Sequence, residues 1–160
     1  VCRDYARTLQ RGRSRMLAEL PRLMAMNDRL EALVGDVGLV FGHNDLLAAN
    51  FMADDDGQRL WLIDWDYAGF NSPLFDLANL SCNNGLDTAL DHALLTRYFG
   101  CAPDAARIRA FLAMRCASAV RETLWAMVSQ QVSTIDFDYA AYARNWGTRL
   151  DQTWQTFQAS

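Results

Sequence analysis

The stretch Gly42–Gly69, GHNDLLAANFMADDDGQRLWLIDWDYAG, decides the fold. It sets His43 and Asp45, then Asn50, then Asp64 and Asp66 around a short apolar hairpin. The apolar runs bracketing these polar groups, Leu39-Val40-Phe41, Phe51-Met52 and Leu60-Trp61-Leu62-Ile63, predict short buried strands. Asp54, Asp55, Asp56 and Gly57 predict the turn between the last two. Closing that hairpin carries Asp64 back beside the loop that holds Asp45 and Asn50. Two carboxylates and a carboxamide then share one end of a small sheet. Hard oxygen donors gathered in this way suit Mg²⁺ carrying phosphate, and a further aspartate suits removal of a proton from a nucleophile.

HNDLLAAN has the form His-x-Asp-x-x-x-x-Asn, and LIDWD follows it at a hairpin's distance. The pair resembles the phosphotransfer motifs of the choline/ethanolamine kinase and aminoglycoside phosphotransferase superfamily, which has a protein-kinase-like fold. IDWDYAGFN followed by FDLAN is closest to the choline/ethanolamine kinase branch. The resemblance runs from about Leu39 to the end, with the first forty residues as a helical lead-in. It implies an α+β, mostly helical C-terminal lobe whose small β-hairpin sheet lies at the catalytic loop. It also implies ATP as co-substrate, Mg²⁺, and a small amino alcohol as acceptor.

The resemblance gives the residues roles. Asp45 is the general base for the acceptor hydroxyl, Asn50 binds Mg²⁺ through its amide oxygen, and Asp64 bridges metal to phosphates. His43 is either a catalytic acid or, as the resemblance favours, a ring that fixes the loop by bonding backbone. Asn44 stands where protein kinases carry an arginine that reads activation-loop phosphorylation, so such a switch is not expected. Asp66, two residues beyond Asp64, holds metal or the substrate cation, or only a structural hydrogen bond. Tyr67 and Phe70 either wall the acceptor pocket or belong to the core. Asp76 is expected to tie its helix to the catalytic loop. Asn83 and Asn84 stand near where choline-using relatives often place an acid facing the ammonium; here the nearest acid is Asp87.

At 160 residues and 51% hydrophobic, the chain is expected to form one domain with a substantial core. Its expected segments are the lead-in 1–38, the catalytic and metal-binding hairpin 39–69, and a helical substrate subdomain 70–160. All 15 basic residues are arginine, with no lysine. The superfamily's N-terminal lobe supplies a strand lysine for the nucleotide phosphates beneath a covering loop. Neither that lysine nor a Gly-rich loop is present, so the chain is expected to be a C-terminal lobe with the nucleotide-binding lobe absent. The net charge of −4 argues against nucleic acid as a partner. The cluster Arg3, Arg7, Arg11, Arg13 and Arg15 reads as a solvated helix face. Cys2, Cys82, Cys101 and Cys116 form no C-x-x-C pair, which argues against zinc and a disulfide framework. With no transmembrane-length run and no signal peptide at the start, the expected location is cytoplasmic, away from membrane. Oligomeric state has no sequence signature here.

Helical spacing is expected over residues 3 to about 34, divided or kinked at Pro21 and ended by Gly35 and Gly38. Further helices are expected from near Phe75, over Asp91–Phe99, from Asp104 along the stripe Ile108, Leu112, Cys116, Val120, Leu124 and Met127, and at Tyr139–Phe157. The aspartate triplet fails as an EF-hand because Arg59 holds the sixth position. LWAMVSQQVSTIDFDYAAYA resembles the choline kinases' segment that supplies aromatic walls for the amine, which implies Trp125 and Tyr142 as substrate residues. One helical turn before Trp125, where choline users tend to add an aromatic, stands Glu122, able to salt-bridge a primary amine. The alternatives are the same chemistry on an aminoglycoside, thiamine or a sugar alcohol, or a non-catalytic kinase-like binding module.

Overall fold

Ser72, Asp87 and Asp138 each stand just before a helix, with a side-chain oxygen accepting a hydrogen bond from a first-turn N–H: Leu74 at 3.3 Å, Leu90 at 2.9 Å and Ala141 at 2.8 Å. Such caps satisfy donors that have no partner inside a helix. They start α3 (Pro73–Asn84), α4 (Thr88–Phe99) and α6 (Tyr139–Ala159). Gly85 and Gly100, with φ of 66° and 72°, end α3 and α4 in the left-handed conformation that glycine tolerates best. The computed structural model describes residues 1–12, 14, 16–34 and 37–160. Among them are also α1 (Cys2–Gly12), α2 (Leu20–Val34) and α5 (Ala105–Val132), which complete a mostly helical chain with two small antiparallel sheets.

The lead-in is two helices. Pro21 does not kink a continuous rod; it sits in the first turn of α2, where a missing N–H costs nothing. On α1, Arg3 bonds Asp28 and Glu31 while Arg7 bonds Asp4, so these cations already have carboxylate partners. Arg13 and Arg15 of that cluster, and Gly35 at the helix end, lie outside the described residues.

Two compact units divide the chain: Val1–Gly35 with Cys116–Ser160, and Asp36–Arg115. The first buries Leu9, Leu23, Leu30, Val120, Leu124, Met127, Leu150 and Phe157. The second holds both sheets. In one, β1 (Val40–Gly42) pairs with β4 (Gly69–Asn71), Phe41 opposite Phe70. In the other, β2 (Phe51–Ala53) pairs with β3 (Leu60–Leu62), Phe51 opposite Leu62. The β2–β3 hairpin is the expected one. Its turn uses Gly57 at φ 66°, with Asp54 and Asp56 accepting from the N–H groups of Arg59 and Gln58. The aspartates therefore serve the turn.

The expectation of buried strands needs correcting. Leu39, Phe41 and Leu60 are 63%, 62% and 67% exposed, and Val40, Met52 and Trp61 also face solvent. A two-stranded ribbon three residues long has two faces and packs only one inward, so an apolar run need not be a buried one.

Within the second unit, Asp91 of α4 is buried, accepting from the Ser81 hydroxyl at 2.6 Å and from Arg115 at 2.7 Å. Burial raises its carboxyl above the ordinary value despite these partners. The folded state thus holds the proton more tightly than the unfolded chain does. The stability this adds is complete below the ordinary value, 3.8, and is lost as pH rises through the folded value. Arg115→Ala should cost about 3 kcal/mol at neutral pH, because it strands a buried carboxylate. Urea unfolding should show that deficit shrinking as the pH is lowered, and Asp91→Asn should flatten the pH dependence.

Candidate active site

A loop without regular structure must find partners for its backbone groups elsewhere. For residues 43–50 those partners come largely from one helix. Asp76, in the first turn of α3, accepts the N–H of His43 and of Asn44, each at 2.7 Å, one on each carboxylate oxygen. One turn on, Asn79 accepts the N–H of Leu46 at 2.5 Å, and Asn84 donates to the Leu46 carbonyl at 3.0 Å. Gly42 makes the approach possible, since a Cβ there would lie 2.6 Å from the Asp76 Oδ2.

The His43 ring is buried and points at backbone. Its Nε2 lies 2.8 Å from the Ile63 carbonyl, which can only accept, so Nε2 carries the proton. Nδ1 is left as an acceptor and takes the Asp45 N–H at 3.2 Å. One tautomer thus joins the loop of residues 43–50 to the end of β3. Asn44, at φ 63°, donates to the carbonyls of Tyr67 and Gly69, both at 3.2 Å, and accepts from Asn71 at 2.9 Å. It holds β4 to the loop.

Asn50 is buried in a short 3₁₀ turn (Ala48–Asn50) and donates its amide to the Asp45 carbonyl at 2.9 Å. This orients Oδ1 as the end of the amide left for a cation. The Asn50 carbonyl accepts the Ile63 N–H at 3.0 Å, which sets the residue before Asp64 directly against Asn50. Asp64 itself is exposed and stands at φ 60°, a conformation costing about 1–2 kcal/mol for a residue with a Cβ. The next residue holds it there. The Trp65 indole N–H donates back across Asp64 to the Leu62 carbonyl at 2.8 Å, and the Trp65 ring meets His43 edge-on at 4.8 Å.

The chemistry of this donor set can be tested against a metal. Among the described residues, no group of three or more His, Cys, Asp or Glu is placed to hold one. The Asn50 amide oxygen and the Asp64 carboxylate fit Mg²⁺ that arrives with phosphate oxygens as its remaining ligands, the way this ion is commonly bound. Asp66 is exposed two residues on.

Asn83 donates to Asn79 at 3.1 Å, and its own Oδ1 is buried without a hydrogen-bond partner. Asp87 caps α4. In the other unit, Glu122 of α5 accepts the Tyr142 hydroxyl at 2.9 Å and lies 3.5 Å from the Arg121 guanidinium, while Trp125 meets Tyr142 edge-on at 6.0 Å. Sequence reasoning overlooked Asn79 as a loop support; its one-turn spacing from Asp76 on α3 was the available signal.

Mostly helical, with paired ribbons flanking a polar loop, the chain has the kinase-like fold. It superimposes on a choline/ethanolamine kinase family protein of Mesorhizobium loti with TM-score 0.84 and 25% identity, covering 95% of this chain and 52% of that one. The Plasmodium vivax ethanolamine kinase matches at TM-score 0.82 and 19% identity, over 99% and 49% of the respective chains. The chain belongs to the choline/ethanolamine kinase family, whose sequence model matches residues 8–98. It is 32% identical to ethanolamine kinase 2 of Mus musculus over 149 residues, and 28% identical to probable choline kinase 2 of Arabidopsis thaliana over 144. These matches cover 79% and 76% of this chain but 39% and 40% of those proteins.

Gly42→Ala should act through Asp76. The new methyl forces the carboxylate off two backbone donors, so a loss of about 2 kcal/mol is expected in urea unfolding. In the double variant with Asp76→Ala, the methyl should cost far less than it does alone. Equal costs in both backgrounds would show that the clash is relieved elsewhere.

Proposed function

We propose that this chain is the phosphotransfer lobe of an ATP-dependent kinase whose acceptor is the hydroxyl of a choline- or ethanolamine-like amino alcohol. The observation that supports the reading is the Asn50–Ile63 backbone bond, which sets the residue before Asp64, just past β3, against Asn50. Membership of the choline/ethanolamine kinase family supports it. Bound Mg²⁺ would supply charge neutralisation at the phosphates. Asn50 and Asp64 hold it, and Asp45 takes the proton of the acceptor hydroxyl. Asp66 adds negative charge for the metal or the acceptor cation. Trp125 and Tyr142 offer ring faces to the ammonium. His43 keeps the loop in register from its buried position. Phosphoryl transfer asks little covalent chemistry of a protein, so positioning and electrostatics carry the rate.

The chain has no lysine to hold nucleotide phosphates, and it spans about 40% of the curated relatives it matches. Turnover is therefore expected from the two-lobed protein and little from residues 1–160 alone. In the two-lobed protein, Asp45→Ala should lower kcat about 10²–10⁴-fold while nucleotide binding persists. Asp64→Ala should weaken Mg²⁺–ATP binding itself. ADP release with choline or ethanolamine as acceptor, together with calorimetric titration of Mg²⁺–ATP, reads both effects. Robust turnover by the isolated chain, abolished in Asp45→Ala, would overturn the need for a second lobe. Absence of nucleotide binding in either form would leave a binding module.

A further inference from the structure

Consecutive side chains on an extended chain point to opposite sides. His43 and Asn44 are consecutive, yet both reach the same short segment of the unit Asp36–Arg115. His43 Nε2 donates to the Ile63 carbonyl at 2.8 Å, immediately before Asp64. Asn44 Nδ2 donates to the Tyr67 carbonyl at 3.2 Å, immediately after Asp66. The backbone of Asn44, at φ 63°, breaks the alternation and brings the two side chains to one segment. Asparagine is among the few residues with a Cβ that enter this region at small cost.

Pairing of β1 with β4 fixes residues 69–71, and the Ala68 N–H closes a turn on the Trp65 carbonyl at 2.9 Å. Tyr67 lies between that turn and β4, and the Asn44 amide joins it to the strand. The same Nδ2 lies 3.2 Å from the Gly69 carbonyl, and Oδ1 accepts from Asn71 at 2.9 Å. Both ends of one amide are thus engaged. Asn44 is buried, so water does not compete for these bonds. Its base is rigid as well, because Asp76 holds the backbone N–H groups of His43 and Asn44, each at 2.7 Å.

We propose that Asn44 is a positioning residue for the metal: with His43 it clasps Asp64–Asp66 at both ends, so that the loop carrying Asp45 sets where those carboxylates meet a divalent cation. The inference rests on the kinase reading for Asp64 as the residue that meets the cation. The residue type follows from the role. Glycine at position 44 would keep the left-handed backbone and lose the amide. Aspartate would keep the backbone and the bond from Asn71, but would set a carboxylate against the Tyr67 and Gly69 carbonyls.

The test uses the two-lobed protein and its variants N44G, N44D and N71A, with Mn²⁺ as the probe. Electron paramagnetic resonance counts bound Mn²⁺ in the presence of a non-hydrolysable ATP analogue, and calorimetry reads the analogue's affinity without metal. N44G and N44D should each weaken Mn²⁺ about tenfold, the scale of one or two buried hydrogen bonds, and leave metal-free nucleotide affinity within about twofold. N71A, which frees one end of the Asn44 amide, should weaken Mn²⁺ about threefold. A merely structural role would lower the urea midpoint and leave the Mn²⁺ affinity of the folded molecules unchanged. Wild-type Mn²⁺ affinity in folded N44G and N44D would therefore overturn the inference and leave the kinase reading intact. Should neither variant fold, N71A decides: the stated loss supports the clasp, and unchanged affinity overturns it. Absence of Mn²⁺ binding by the wild-type protein with the analogue present would overturn both.

Discussion

The Asp76 carboxylate, accepting one backbone N–H on each oxygen, is the constraint on which the candidate active site depends. It sits in the first turn of α3, where the helix's own field favours a negative charge, and it reaches the two residues that open the polar loop. Asn79 and Asn84 extend the same face of α3 along the loop to Leu46. A loop that would otherwise leave donors unpaired is thus templated by a helix. Loss of one charged acceptor here leaves two backbone donors without partners, a penalty of about 1–3 kcal/mol for each if they stay dry. That magnitude is enough to move the loop rather than merely loosen it. The absence of a side chain at Gly42 belongs to the same device, since the carboxylate occupies the volume a Cβ would need.

With the loop held from below, structural and chemical roles separate cleanly. His43 and Asn44 face inward, and their side chains bond backbone. Asn50 serves both purposes: its N–H₂ group closes the loop on the Asp45 carbonyl, which fixes the direction of its oxygen. Asp64, like Asn44, stands in the left-handed region. Its left-handed backbone is over-determined by the Asn50–Ile63 bond on one side and the Trp65 indole bond across it.

The legible parts of the sequence were those governed by short-range rules. The β2–β3 hairpin, its aspartate–glycine turn and the helix end after Phe99 follow from local backbone preference, and all are present. The motif spacing around Asp45, Asn50 and Asp64 led to the family, and residues 8–98 match that family's model. Long-range pairing was less legible. The partnership of β1 with β4 joins residues such as Phe41 and Phe70 whose intervening chain contains an entire hairpin, and no turn signal announces it. Strand burial was misjudged because hydrophobic runs report propensity for a ribbon and not the number of faces that find cover. The Glu122–Tyr142 bond was beyond reach for a further reason: a side chain's partner depends on rotamer and on the approach of a distant element.

The treatment of acids across the chain bears on where a cation can gain energy. Asp91 and Glu122 are buried, and each has a guanidinium and a hydroxyl: Arg115 with Ser81, Arg121 with Tyr142. Arginine suits this work because its charge is weakly hydrated and permanent, so it is less costly to bury than lysine's ammonium. Compensated in this way, those carboxylates offer little attraction to an incoming ion. Asp64 and Asp66 are the opposite case, exposed at the end of the hairpin, with neither an ion pair nor a side-chain hydrogen bond among the described residues. Water screens them, and their field becomes strong only when a ligand excludes that water. A Mg²⁺ carrying phosphate would bring both the countercharge and the exclusion.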